Sequence, residues 1–113
     1  MNSRTKRLAV GAATVLSAAV FTMASASSAQ AAAGGSWTTN DVKIRKGPST
    51  GTAIVDRGYI GDGADVKCWL SGEGIYGNTK WYYVRNVSSS AGVYGYTSAY
   101  YFRVAGGASV PKC

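Results

Sequence analysis

Two cysteines, Cys68 and Cys113, are the side chains best suited to covalent chemistry, and the rest of the composition bears on which chemistry that is. A thiol nucleophile needs a base beside it, and the 113 residues contain no histidine. Pairing of the two cysteines as a disulfide is therefore the expected role. Three carboxylates, Asp56, Asp62 and Asp65, cluster around the segment G-D-G-A-D at residues 61–65. Their spacing lacks the alternating acidic ligands and the closing glutamate of a calcium loop, so a turn is expected there and no metal site. Glu73, set between Gly72 and Gly74, reads as a mobile loop residue. Neither paired carboxylates nor a lysine-activated serine forms a recognisable motif. The expectation is a protein without catalytic residues or cofactor.

Aromatic side chains carry the stronger signal. Trp37, Trp69 and Trp81 together with eight tyrosines exceed what one small core can hide, and exposed aromatic clusters mark binding surfaces. Roughly half of them are expected to be structural, covering the ends of the fold or the disulfide.

The chain must also place these groups in a compartment. Residues 1–7 are basic through Arg4, Lys6 and Arg7, residues 8–24 are uncharged and mostly apolar, and Ala29-Gln30-Ala31 is a small-x-small cleavage pattern. This is the pattern of a secretory signal peptide over residues 1–31. Gly11, Thr14, Ser17 and Thr22 dilute the apolar run, so no membrane anchor is expected to remain after cleavage. Export places both cysteines where disulfides persist, and bridging Cys68 to Cys113 would add about 4 kcal/mol on the chain-entropy model. Such a staple suits a domain whose core is small. The remaining residues form one domain, read as a linker at 32–39, a barrel at 40–104 and a tail at 105–113 held by the disulfide.

Beyond the leader, nine Lys and Arg face five Asp and Glu, a net charge of +4. The one local basic cluster, Lys43-Ile44-Arg45-Lys46, reads as a solvated strand face rather than a phosphate site. Aromatic and basic groups can together bind nucleic acid, but export argues against that partner. A monomer is expected.

The elements that position these groups follow from alternation. Strands are predicted near residues 42–45, 53–59, 65–70, 80–87 and 93–97, separated by turn signals. The run K-W-Y-Y-V-R-N-V at 80–87 is crowded with aromatic and β-branched residues that favour a pleated surface. Five short strands predict an all-β fold, a small antiparallel barrel. Alternation turns Val42, Ile44, Val66, Cys68, Leu70, Tyr82, Val84 and Val93 inward, and sets Trp69, Trp81, Tyr83, Arg85, Tyr94 and Tyr96 on the opposite faces.

Three segments carry a family resemblance. V-K-I-R-K-G-P-S-T at 42–50 is similar to the opening N-V-R-x-G-P-S-T of bacterial Src-homology-3 domains, with Lys43 in place of Asn and Gly47 expected to supply a permissive φ before Pro48. W-Y-Y-V-R at 81–85 is similar to the family's W-Y-x-V-R strand. G-Y-T-S-A-Y-Y-F at 95–102 resembles its closing G-W-V-S-x-x-Y-L, with Tyr96 in place of Trp and Thr97 in place of an aliphatic residue. The resemblance spans roughly residues 40–104. It implies a short helical turn near the C-terminus and recognition of cell-envelope peptides, the stem or bridge peptides of peptidoglycan. Trp81, Tyr83, Tyr96 and Tyr101 are the expected ligand-binding residues. An alternative is inhibition or modulation of a secreted enzyme through the same surface.

Overall fold

The computed structural model describes residues 32–113, so the leader read over 1–31 lies outside the described residues. Seven strands form one sheet: β1 (Ala33–Trp37), β2 (Val42–Arg45), β3 (Ile54–Gly58), β4 (Gly63–Ile75), β5 (Asn78–Asn86), β6 (Tyr94–Ser98) and β7 (Phe102–Val104). Their order is β3-β2-β6-β5-β4-β1-β7, and the strand pairs are antiparallel. The all-β class and the short 3-10 turn, at Ala99–Tyr101, agree with the sequence reading. Two corrections apply: the strands number seven rather than five, and the sheet is not closed into a barrel.

The extra strands arise where glycine and brevity mask the β signal. β1 runs through the segment read as a linker, A-G-G-S-W, which has no β-branched residue. Packing holds it instead. Trp37 is only 3% exposed, meets Phe102 edge-on at 5.2 Å between ring centroids, and donates its indole N–H to the buried Thr97 Oγ1 at 3.1 Å. A side chain at Gly35 would begin 2.4 Å from the Phe102 ring, and one at Gly58 would fall 2.2 Å from the Trp37 ring. Glycine is required at both places because an aromatic ring occupies the Cβ position. The indole thereby ties β1 to β3, although the two are far apart in strand order.

Val42, Ile44, Ala64, Val66 and Val84 join Trp37 and Phe102 in the core, with Val55, Tyr82 and Tyr101 packed against it. Ile44, Val66 and Val84 have no exposed surface, and each contributes about 1.5–3 kcal/mol of burial. Alternation was read correctly for Val42, Ile44, Val66, Tyr82 and Val84. It fails in the second half of β4, because the register shifts between Val66 and Cys68. Val66 opposes Val84, but Cys68 opposes Tyr83 and Leu70 opposes Trp81, so both turn to the face away from the core, while Trp69 opposes the inward Tyr82. Val93 precedes β6 and is exposed.

Cys68 and Cys113 form the disulfide, with their Cα atoms 4.8 Å apart. Beyond the end of β1 the tail takes over the free side of β4. Trp69 N–H donates to Pro111 O at 3.0 Å, Cys113 N–H donates to Trp69 O at 2.8 Å, and Trp69 and Lys112 form a parallel bridge.

Candidate ligand-binding cleft

One loop and one carboxylate shape a cleft beside β2. In the 46–53 loop, Lys46 N–H donates to Ala53 O at 2.9 Å, and Gly47 N–H donates to Thr52 Oγ1 at 3.2 Å. Gly47 does not have the positive φ expected of it. Its constraint is space, since a Cβ there would stand 3.0 Å from Thr52 Cγ2. Arg45 braces the loop from β2 by donating from Nη1 to Thr52 O at 2.8 Å.

Glu73 is not a mobile loop residue. It lies within β4 and clasps the loop tip: Thr50 N–H donates to its Oε1 at 2.7 Å, and the Thr50 hydroxyl lies 2.8 and 3.0 Å from its two oxygens. The Glu73 N–H donates back to Pro48 O at 3.0 Å. Hydrogen bonds from the Thr50 backbone, then from its side chain, hold the Glu73 carboxyl below the usual carboxylate range. The Glu73 carbonyl meanwhile accepts the Trp81 indole N–H at 2.8 Å.

These contacts frame a cleft of about 420 Å³, a size suited to a small ligand or a few peptide residues. Val42 and Arg45 of β2, Thr50 of the loop, Ile75 at the end of β4, and Trp81, Ser98 and Tyr101 are among the residues that line it. Ser98 caps the 3-10 turn by accepting the Tyr100 N–H at 3.1 Å, which fixes the direction in which Tyr100 and Tyr101 leave the chain. At the open rim Asp41 accepts from Arg57 and Lys43, and these bonds, Arg57 first, lower its pKa. Arg45 has no ion-pair partner among the described residues.

The four residues expected to bind ligand fall into two groups. Trp81 and Tyr101 line the cleft, but Trp81 is 2% exposed and offers a ligand little more than an edge. Its face of β5 was assigned correctly and its exposure was not, because the β4–β5 hairpin covers the indole and takes its N–H. Tyr83 and Tyr96 sit together outside the cleft, 4.8 Å apart, with Tyr94 stacked on Tyr83 at 5.2 Å. Arg45, opposite Tyr96 in the β2–β6 register, adjoins both places. No family model, curated protein or solved structure matches the chain. The site's chemistry accordingly rests on its own geometry. It brings the cations of Lys43 and Arg45, the Asp41 carboxylate, the Tyr101 phenol and the Thr50 and Ser98 hydroxyls together with the apolar Val42, Ile75 and Trp81, and among the described residues no group of three or more metal-ligating side chains occurs.

Sequence reasoning missed Ile75, Tyr76 and Tyr100. A signal for Tyr76 was present: Tyr76-Gly77 separates two β-rich runs as a hairpin turn would, with tyrosine where Asn or Asp is preferred.

Proposed function

We propose that this chain is a secreted binding module of the bacterial Src-homology-3 type, whose cleft receives an extended peptide of the cell envelope, a stem or bridge peptide of peptidoglycan. One observation carries the reading. The three segments that resemble the family lie far apart in sequence, and each sends residues into the same cleft: Val42, Lys43, Arg45 and Thr50 from the first, Trp81 from the second, Ser98 and Tyr101 from the third. A binding role also fits the Tyr101 ring in the cleft lining, a rigid side chain that loses little conformational freedom when a ligand docks. The disulfide fits an oxidising compartment, consistent with export.

The test is retention of the protein on purified peptidoglycan sacculi and, separately, on the proteins of the culture medium. Wild type should be held by sacculi. Tyr101→Ala should lose about thirtyfold in affinity, the effect of removing one hot spot of about 2 kcal/mol, with the fold checked by circular dichroism because the ring also packs against the core. Trp81→Ala is the wrong probe, because removing a buried tryptophan costs about 3–5 kcal/mol of stability by itself. Retention by medium proteins alone would replace the wall-peptide reading with modulation of a secreted enzyme.

A further inference from the structure

The β4–β5 hairpin turns through Tyr76 and Gly77, both at positive φ, 47° and 84°. The second position is natural for glycine. The first is costly for a bulky side chain, and Asn or Asp would occupy it with less strain. Folding gives little return for the choice, since Tyr76 is 80% exposed and the one ring it pairs with among the described residues is the exposed ring of Tyr100, 5.0 Å away. Tyr100 is 48% exposed and rests edge-on against Tyr101 at 4.9 Å. The three rings thus form a row from the cleft wall, where Tyr101 and Ile75 stand, out to the hairpin tip.

Cations of the protein already cover two of the other aromatic groups, and among the rings left open Tyr76 and Tyr100 are the pair that continues from Tyr101 at the cleft. Tyr94 carries Lys67 at 4.8 Å and Arg85 at 5.6 Å from its centroid, and Trp69 carries Lys80 at 4.6 Å and Lys112 at 5.5 Å. Among the described residues no Lys or Arg stands over Tyr76 or Tyr100. Inside the cleft the charges run the other way. Arg45 and Lys43 line it, Asp41 is shared between Lys43 and Arg57, and the Glu73 carboxylate is engaged by Thr50. Both nearby carboxylates are thus already engaged by the protein, and the open ring faces at the tip offer a ligand's positive group a site without a competing cation.

Resting on the peptide-binding reading above, we infer that the Tyr76–Tyr100 pair receives the ammonium group of the bound peptide, making the cleft selective for a wall peptide that carries a free side-chain amine. The interaction is a cation–π contact supplied by the ligand rather than by the protein. Strain at Tyr76 is kept for recognition and is not needed by the fold.

Calorimetric titration with two synthetic stem peptides tests this, one with a free lysine amine and one acetylated at that amine. Acetylation should weaken binding to wild type about fivefold, the effect of one partly exposed cation–π contact. Tyr76→Asn should bind the free-amine peptide about fivefold more weakly than wild type, bind the acetylated peptide as wild type does, and melt at a higher temperature. Tyr76→Phe should match wild type with both peptides. Equal binding of the two peptides by wild type, or an unaltered preference in Tyr76→Asn, overturns the assignment while leaving the peptide cleft standing. Wild type that binds neither peptide overturns the assignment, and if sacculi also fail to retain the protein the peptide cleft falls with it.

Discussion

Gly95 sets the distance between β2 and β6. A Cβ there would lie 2.7 Å from Ile44 Cγ2 and 2.8 Å from Arg45 O, and one of those neighbours is backbone that can yield only by moving the strand. Gly95→Ala should therefore cost about 1–3 kcal/mol, read as a lowered denaturant midpoint. An unchanged midpoint would show that the two strands separate freely. Much of this detail was hidden in the sequence. Gly95 stood out as part of a motif, yet nothing local says that Ile44 and Val55 crowd it, because that contact is made by residues roughly fifty and forty positions earlier in the chain. Gly47 illustrates the converse: its importance was legible and its reason was misread, a close approach to Thr52 taking the place of a special φ. Trp81 was placed on the right face, while the cover that buries it belongs to a hairpin whose path a linear pattern does not fix.

At the level of elements, the 46–53 loop and the end of β4 behave as one unit joined through Glu73 and Thr50. Because the folded pKa of Glu73 is depressed, the clasp contributes fully above the unfolded value, about 4.3, and is lost as pH falls through the lower folded value. Asp41, lowered in the same direction by Arg57 and Lys43, reinforces the same acidic window. The Thr50 amide resonance should titrate with a midpoint below that of an ordinary glutamate, and in Glu73→Gln it should not titrate with the clasp. A midpoint at or above the ordinary glutamate value would mean that the carboxylate is not held. Strands β2, β3, β5 and β6 were legible as alternating runs, and their ends came within a few residues. β1 and β7 were not: β1 is rich in glycine, β7 has three residues, and both owe their pairing to Trp37 and Phe102 rather than to local preference. The shift at Lys67 was equally silent, and one unpaired residue there reversed the faces of Cys68, Trp69 and Leu70.

For the molecule as a whole, the disulfide does more than shorten the unfolded chain. It fastens the tail along β4 at Trp69, covering main-chain groups that β1 leaves free after Ala33 pairs with Val66. Reduction should lower the melting temperature, with a loss of up to about 4 kcal/mol, and should also uncover a strand edge that promotes self-association, visible as rising light scattering. A reduced protein with the same melting temperature and no scattering would assign the staple no role in the fold. The strand order has a further consequence, for the order of events in synthesis. β1, the earliest strand in the chain, lies between β4 and β7, so Gly35 finds partners only in Ala64 and Val104. A polypeptide emerging from the ribosome with its N-terminus first has no way to complete this sheet until almost all of it has been made. The pairings of β1 span long stretches of chain, which makes completion of the sheet slow even then. Through that interval the edge of β4 that β1 covers stays open to other chains.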